Sequence, residues 1–184
     1  MGKITFLKEF FSKTKMVGSI TPSSRFLAKK MLRNLEIETY DLIVEFGPGT
    51  GVFTEAMQRR INPTTKIILI ELNPIFCEEI SKKLNNPQIE VIQGSALDLG
   101  EILSKRGLSK ADCVVSSLPL AFFPLTLRDE ILQTAHGCLK NKGKFVQFQY
   151  SLQSKGAMKQ IFSDVKVDYT ALNFPPAFVY TCEK

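Results

Sequence analysis

One glycine-rich turn constrains the fold of this 184-residue chain more than any other stretch. Residues 41–45 read D-L-I-V-E, an apolar and partly β-branched run that predicts a buried strand ending on an acid. Residues 46–51 follow as F-G-P-G-T-G, and a helical pattern starts at Val52. Glycine permits positive φ and lets a ligand lie against the backbone, and a helix N-terminus presents free N–H groups. The order of strand, glycine turn and helix therefore predicts a ligand-binding loop.

The glycine spacing distinguishes this loop from two common phosphate sites. A P-loop needs Gly, four residues and then Gly-Lys-Ser/Thr, but no lysine follows Gly51. The dinucleotide fingerprint needs G-x-G-x-x-G, whereas this loop reads G-x-G-x-G. A second apolar run, residues 66–71, ends on Glu71, and an acid at the tip of the second strand is where an α/β nucleotide site binds ribose hydroxyls. A glycine turn of an unrelated α/β protein, with a solvated Glu71, is the alternative.

The segments E-F-G-P-G-T-G and I-L-I-E-L-N together resemble the class I S-adenosylmethionine-dependent methyltransferases. The resemblance implies S-adenosyl-L-methionine as the cofactor, with its amino-acid part on the glycine loop and its ribose diol on Glu71. The implied cofactor-binding residues of these two segments are Glu45, Gly47, Pro48, Gly49, Thr50, Gly51, Glu71 and Leu72. In this family an acid often follows the glycine after the third strand and contacts the adenine amino group. This chain has Gly94-Ser95-Ala96 there, so the expected contact is Ser95 or the backbone at Ala96, with Asp98 close by.

Alternation of apolar runs and helical patterns predicts an α/β fold: a Rossmann-like, seven-stranded, mostly parallel sheet with helices on both faces. The predicted strands are residues 41–45, 66–71, 89–92, 111–116, 144–150, 165–169 and 177–182. The length fits one methyltransferase domain over 1–184, with basic amphipathic helices in 1–34 and a cofactor-binding core in 35–184. Ligands of such sheets bind outside the carboxyl ends of the strands, where the candidate residues converge.

The fourth predicted strand opens into S-S-L-P-L, residues 116–120. It resembles the N-L-P-Y segment of amino-methylating enzymes, in which a polar side chain and a backbone carbonyl receive the target amine. By this resemblance Ser116, Ser117 and the Leu118 carbonyl orient the amine, Tyr150 lies near the reacting group, and Ser116 also borders the cofactor. Leu120 replaces the stacking aromatic residue, which speaks against adenine or glutamine as the acceptor. An apolar loop that merely fills the sheet edge is the alternative.

Several segments resemble a narrower group, the bacterial phospholipid N-methyltransferases, which methylate phosphatidylethanolamine. They are V-G-S-I-T-P-S-S before a basic helix, S-S-L-P-L, F-V-Q-F-Q-Y and N-F-P-P-A-F-V-Y, and they cover nearly the whole chain. The pattern predicts Thr21 as an N-cap and Pro22 as the first residue of a helix that runs to residue 32. Thr21, Ser23 and Ser24 are candidates for cofactor contact, with helix capping as the alternative role.

Basic residues concentrate at the N-terminus. Residues 1–33 hold eight lysines and arginines against one glutamate, a net charge of +7, whereas the whole chain carries +6. This asymmetry indicates a polyanionic partner, either a membrane surface or nucleic acid. Residues 4–11 form an amphipathic pattern with Phe6 and Phe10 on its apolar stripe, typical of an interfacial helix or of a helix packed on its own domain.

Composition excludes some classes. No apolar run approaches the roughly 20 residues that span a bilayer, and lysines interrupt the apolar residues of the N-terminus, so a signal peptide is not expected. The four cysteines form no C-x-x-C pair and the chain has one histidine, His136, so no metal site is expected. Cysteine usage fits a cytoplasmic protein, associated with the cytoplasmic face of a membrane if the basic segment binds lipid.

The sequence therefore predicts an enzyme, an S-adenosylmethionine-dependent N-methyltransferase acting on the ethanolamine head group of a phospholipid. Alternatives are a nucleic-acid methyltransferase related to the rRNA adenine dimethyltransferases and a methyltransferase of another small amine. A non-catalytic module that binds the cofactor or a membrane is a third hypothesis.

Overall fold

The apolar runs of the sequence form one seven-stranded sheet. The computed structural model describes residues 24–184. The strands are β1 (Leu42–Phe46), β2 (Lys66–Glu71), β3 (Ile89–Gln93), β4 (Ala111–Ser116), β5 (Leu139–Gln149), β6 (Asp164–Thr170) and β7 (Ala177–Glu183). Their order across the sheet is β3-β2-β1-β4-β5-β7-β6. Strand β7 runs antiparallel to β5 and β6, and the other six strands run in one direction. The prediction of a mostly parallel sheet is therefore confirmed.

Helices cover both faces of the sheet. They are α1 (Arg25–Leu32), α2 (Val52–Gln58), α3 (Pro74–Lys83), α4 (Leu99–Ser104), α5 (Leu125–Cys138) and α6 (Lys155–Ile161). One face packs against α1, α2 and α3, and the other against α4, α5 and α6. The interior strand β1 is buried along its whole length, because helices cover both sides of it. The chain therefore buries this mostly apolar strand inside the sheet.

The first described helix starts later than the sequence predicts. Its N-cap is Ser24, whose backbone is extended and whose side chain accepts a hydrogen bond from the Leu27 amide at 3.1 Å. The predicted N-cap Thr21 and first helical residue Pro22 are therefore wrong for this helix, because a serine three residues later satisfies the free amide. Thr21 and Ser23 lie outside the described residues, as does the amphipathic segment 4–11.

Strand β5 also differs from the prediction. It begins at Leu139, five residues before the predicted start, because Leu139 already pairs with Ala111 of β4. The register then shifts between Ala111 and Cys113, and the ladder continues from Cys113 to Lys144. Between these two pairs the chain makes an irregular turn, with Lys142 at a positive φ of 62°, and the ladder then resumes.

The carboxyl ends of β1, β2, β3, β4 and β5 lie along one edge of the sheet, as parallel pairing requires. The turn between β6 and β7 lies at the same edge, because Phe178 near the start of β7 pairs with Gln149 at the end of β5. We call this the carboxyl edge. Within residues 24–184, no helix is long and apolar enough to cross a membrane.

Candidate active site

The glycine turn after β1 is held open by positive φ angles. Gly47, Gly49 and Gly51 have φ of 65°, 53° and 81°, a region that side chains with a Cβ rarely adopt. A Cβ on Gly47 would lie 3.0 Å from Leu118 Cδ2, and one on Gly51 would lie 3.1 Å from Ile80 Cδ1. A Cβ on Gly49 would meet nothing within 4 Å. The turn is therefore packed at both ends and open at its centre, where a ligand can lie against the backbone.

Three further contacts shape this turn. The Gly47 amide donates to the Ile70 carbonyl at 2.9 Å, and the Gly51 amide donates to the carbonyl of the buried Pro48 at 2.9 Å. Gly51 is the N-cap of α2 and has no side chain to bond the first free amides of the helix. Thr50 is exposed, and its carbonyl accepts from Lys83 Nζ at 2.9 Å. The backbone amides at the start of α2 can therefore serve a polar ligand.

Glu45, the acid before the turn, is fully buried. Its Oε2 accepts a hydrogen bond from Thr54 Oγ1 at 2.6 Å, whereas Oε1 has no partner among residues 24–184. Burial raises the pKa of this carboxyl to about 8, against the lowering effect of the Thr54 hydroxyl. Thr54 lies one turn into α2, so a hydroxyl in that position after the glycines was a signal that our sequence analysis missed. A buried acid with a free oxygen suits a cationic partner.

Glu71 ends β2 beside the glycine turn. Its Oε2 accepts from the Gly49 amide at 3.2 Å and its Oε1 from the Asn73 amide at 2.9 Å. Burial raises the pKa of the Glu71 carboxyl, and the two amides act in the opposite direction. The side chain is therefore fixed at the end of its strand with both oxygens oriented by backbone donors.

A cleft at the carboxyl edge brings many of the predicted residues together. The cleft is shallow, with about 20 Å³ accessible to the centre of a water-sized sphere, which is room for about one water molecule. Six predicted site residues line it: Gly47, Glu71, Leu72, Gly94, Ala96 and Leu118. Ile70 and Ile131 complete the lining, and neither carries a sequence signal beyond core hydrophobicity. The predicted ribose site, the predicted adenine site and the acceptor loop therefore border one cavity.

At the end of β3, Ser95 has a capping role. Its Oγ accepts from the Leu97 amide at 3.2 Å, and Asp98 Oδ2 accepts from the Ser95 amide at 3.1 Å, which together form a capping box. The Gly94 amide donates to the Glu71 carbonyl at 3.0 Å, which joins this turn to β2. Of the expected adenine contacts, Ala96 borders the cleft, and Ser95 is buried behind it.

The acceptor loop after β4 is held by its own hydrogen bonds. Ser116 is buried and its Oγ accepts from the Leu118 amide at 3.3 Å, while the Ser117 amide donates to the Phe46 carbonyl at 3.0 Å. Ser117 Oγ is buried with no partner among the described residues.

The Leu118 carbonyl, predicted to receive the amine, is already saturated. It accepts from the Leu120 amide at 2.8 Å and from Gln147 Nε2 at 2.9 Å, and a carbonyl has two lone pairs. An amine would have to displace one of these donors, whereas Ser117 Oγ has no hydrogen-bond partner within residues 24–184. Our sequence analysis did not select Gln147, although a glutamine in the otherwise apolar F-V-Q-F-Q-Y strand was a visible signal.

Tyr150 and Ser24 form a separate group, outside the lining of the cleft. Tyr150 is partly exposed and lies near Asn173, and burial raises the pKa of its hydroxyl. Asn173 Oδ1 accepts from the Ser24 amide at 3.3 Å, and Ser24 Oγ donates to the Leu172 carbonyl at 3.4 Å. The start of α1 is thereby tied to the β6–β7 turn. The predicted roles of Tyr150 near the reacting group and of Ser24 at the cofactor stay predictions.

The remaining candidate groups are structural. His136 packs its ring edge-on against Phe162, and all four cysteines are free thiols, with Cys113 fully buried. Within residues 24–184, no three His, Cys, Asp or Glu side chains are placed to hold a metal ion. The chemistry of the site therefore rests on the glycine turn, two buried acids and the acceptor loop.

Comparison with known proteins agrees with this geometry. Residues 43–143 match the family described as "Methyltransferase domain". The chain belongs to the methyltransferase family. This methyltransferase is 31% identical over 179 residues to an ornithine lipid N-methyltransferase from Singulisphaera acidiphila. The alignment covers 96% of this chain and 93% of the relative. It is 30% identical over 103 residues to a probable ribosomal RNA small subunit methyltransferase A from Thermococcus onnurineus, which covers 55% of this chain and 34% of that relative.

Solved structures share the fold of this methyltransferase. The N-methyltransferase NodS from Bradyrhizobium japonicum superposes with a TM-score of 0.72 at 12% identity, covering 87% of this chain and 95% of NodS. NodS in complex with S-adenosyl-L-homocysteine superposes with a TM-score of 0.69. The predicted class I methyltransferase fold, the predicted enzyme class and S-adenosyl-L-methionine as its cofactor are confirmed. The open face of Gly49 and the fixed Glu71 carboxylate fit that cofactor, and a shallow cleft adjoins them.

Proposed function

We propose that this methyltransferase transfers methyl groups from S-adenosyl-L-methionine to an amine in the head group of a polar lipid. Similarity along almost the whole chain carries the proposal. The match to the ornithine lipid N-methyltransferase spans 96% of this chain, so it extends well beyond residues 43–143, the part that matches the methyltransferase domain. The match to the ribosomal RNA methyltransferase covers about a third of that protein. The nucleic-acid alternative is therefore less well supported than the lipid.

The identity of the amine is the finer part of the proposal. Ornithine and ethanolamine both end in a primary amine, so one site can be tested with both lipids. The narrower sequence resemblance favours phosphatidylethanolamine, and the full-length relative is named for ornithine lipid. Both acceptors share the chemistry that the site must recognise, a primary amine at the surface of a lipid.

In this proposal the chain binds and orients both reactants. The cofactor supplies an electrophilic methyl group on a sulfonium: the new N–C bond forms as the C–S bond breaks, and the amine then loses a proton. Glu71 and the glycine turn hold the cofactor, while Glu45 offers its free Oε1 to a cationic group. Ser117 Oγ accepts a hydrogen bond from the amine. Partial desolvation lowers the pKa of the bound ammonium and so favours the neutral nucleophile.

Positioning is the main contribution of the protein. Holding two reactants in near-attack geometry supplies roughly 7–11 kcal/mol of a barrier. Hydrogen bonds within the protein fix the glycine turn, Glu71 and the acceptor loop, so the fold itself orders these groups for the reaction. Among residues 24–184, no histidine or lysine lines the cleft, and the released proton passes to solvent in this scheme.

We further propose that residues 1–33, with their net charge of +7, contact the anionic cytoplasmic face of a membrane. A lipid acceptor requires the enzyme to work at a bilayer surface, and a basic segment with an aromatic stripe suits that surface.

The test is transfer of a labelled methyl group from S-adenosyl-L-methionine to three acceptors: phosphatidylethanolamine vesicles, ornithine-lipid vesicles and deproteinised ribosomal RNA. We expect label in one or both lipids. Glu71→Gln should reduce the rate at least tenfold, because it removes the carboxylate fixed at the cofactor cleft. Glu78→Gln, which removes an exposed carboxylate on α3, is the matched control and should act like the wild type.

The acceptors separate the outcomes. Label in the RNA alone would overturn the proposal. Label in neither lipid nor RNA, with cofactor binding retained by calorimetry, would also overturn it and favour a soluble amine or a non-catalytic module. Label in one lipid and not the other would identify the head group.

A further inference from the structure

Three segments of this chain contain no charged side chain. They are residues 113–127, 145–154 and 169–182, in a chain in which 23% of residues are charged. Each segment includes a loop at the carboxyl edge: residues 117–124 after β4, 150–154 after β5, and 171–176 between β6 and β7. The three loops are neighbours, because β4, β5 and β7 are consecutive strands of the sheet. We call them together the uncharged loop surface.

Large apolar side chains project from this surface. Leu125, which starts the helix after the first loop, is 67% exposed, Leu172 is 68% exposed and Phe174 is 84% exposed. Leu152 and Tyr150 are also exposed. Single exposed apolar residues are ordinary on protein surfaces, but here they gather on three adjacent loops, and such patches mark interaction sites.

The position of the surface indicates its purpose. Leu118, in the first of the loops, lines the cleft at which the cofactor residues converge. On the other half of the carboxyl edge, the turn after β1 is also uncharged, but Glu71 ends β2 and Asp98 lies in the short helical turn after β3. The carboxyl edge is thus divided into a polar half that bears the cofactor residues and an apolar half beside the acceptor loop.

The chemistry of the surface fits a lipid bilayer better than a polymer. A nucleic acid is held by lysine and arginine at its phosphates, and the three loops contain neither. Cations do border them: Arg25 begins the helix tied to the β6–β7 turn, and Lys155 follows the loop after β5. An apolar centre with cations around it complements hydrocarbon beneath anionic head groups, and tyrosine is favoured at that interface.

We infer that the uncharged loop surface docks on the bilayer and inserts its leucine and phenylalanine side chains between lipid head groups. A lipid amine then reaches the cleft without leaving the interface. The inference rests on the proposed lipid acceptor and deepens it, because it places bilayer contact on the folded core in addition to the basic segment 1–33. The described part of the chain begins at Ser24, which lies beside this surface because it bonds to the β6–β7 turn.

The test is sedimentation of the full-length chain with vesicles of phosphatidylethanolamine and phosphatidylglycerol. The variant Leu125→Ser/Leu172→Ser removes two side chains that are about equally exposed on different loops. We expect its partition coefficient to fall at least about tenfold, a free-energy change of about 1.4 kcal/mol. Ile75→Ser is the matched control: Ile75 is 49% exposed at the start of α3, on the cofactor half of the edge, and its loss should leave binding unchanged.

Activity provides the second measurement. With a short-chain amine lipid below its critical micelle concentration, the double variant should keep the wild-type kcat/KM, because neither leucine lines the cleft. With vesicles its kcat/KM should fall in proportion to binding. Unchanged thermal unfolding would show that the variant is folded.

Three results would overturn the inference. One is a double variant that binds vesicles like the wild type while Phe6→Ser/Phe10→Ser abolishes binding, which would place the contact in the N-terminal segment alone. Another is a wild-type dimer that the double variant dissociates, which would make the surface an interface between two copies. The third is equal loss of binding in Ile75→Ser. Vesicle binding that depends on the two leucines, without methylation of any lipid, would support the inference and refute the proposed function.

Discussion

Burial of Glu45 should make the stability of this methyltransferase fall as pH rises. The folded-state pKa of this carboxyl is about 8, against an ordinary value of 4.5. Between these two pH values the folded chain holds a proton that the unfolded chain has released. The free energy of unfolding should therefore decrease by about 1.4 kcal/mol for each pH unit. The total decrease should reach about 5 kcal/mol at pH 8 and above. The stabilising contribution of the protonated Glu45 carboxyl is fully present below pH 4.5 and is lost as pH rises to about 8.

Urea unfolding of wild type and Glu45→Gln between pH 5 and pH 9 measures this effect. Glutamine keeps the shape of the side chain and cannot ionise, so the difference between the two proteins should grow with pH and level off near pH 8. Burial also raises the pKa of Glu71, but that contribution is common to both proteins and cancels to first order in the difference. Parallel curves for the two proteins would refute the reasoning, because they would show that Glu45 is ionised or solvated throughout.

The protonation state of Glu45 should also control the affinity for the cofactor. A cationic group beside Oε1 favours the ionised carboxylate, so affinity for S-adenosyl-L-homocysteine, measured by calorimetry, should increase from pH 6 to about 8 and then level off. Glu45→Gln should bind more weakly and without this pH dependence. Thr54→Val removes the hydroxyl that lowers the Glu45 pKa, so it should move the transition to higher pH.

Three further substitutions test the geometry of the site. Gly51→Ala should lower the free energy of unfolding by about 1–3 kcal/mol in urea titrations, because it combines positive-φ strain with a contact to Ile80. Gly49→Ala should lower the free energy of unfolding only by the positive-φ strain, about 1–2 kcal/mol. It should weaken cofactor binding more than Gly51→Ala, since its methyl group points into the open space at the turn. Equal effects of the two substitutions on stability and on cofactor affinity would contradict these expectations. Gln147→Leu should lower stability by about 1–3 kcal/mol and raise KM for the lipid amine more than KM for the cofactor, because it frees the Leu118 carbonyl and loosens the acceptor loop.

Much of the cofactor half could be predicted from the sequence because its signals are local. A glycine at every second position permits the positive φ angles of the turn without steric cost, and Glu45 and Glu71 end short, β-branched apolar runs that favour buried strands. These features bring Gly47, Glu71 and Leu72 to one edge by parallel pairing alone. The fold class followed from the same alternation of strands and helices.

The acceptor half depends on contacts between residues far apart in the chain, and there local signals fail. The Leu118 carbonyl reads as free in the sequence, but Gln147, 29 residues later, occupies it. Thr21 is a good N-cap by type, but Ser24 caps the helix while it bonds to the β6–β7 turn nearly 150 residues away. Hydrogen-bond partners at such separations are decided by the register of the sheet.

The amino-acid sequence by itself determined which segments form buried strands, where the glycine turn lies and which two acids end the strands beside it. Periodicity and backbone sterics act within a few residues, so these features need no distant partner. Only the tertiary structure decided that Glu45 is buried deeply enough to hold a proton near neutral pH, that the acceptor carbonyl is saturated, and that three uncharged segments meet on one surface. Desolvation, hydrogen-bond saturation and patch formation depend on which distant residues become neighbours, and that is set when the seven strands assemble.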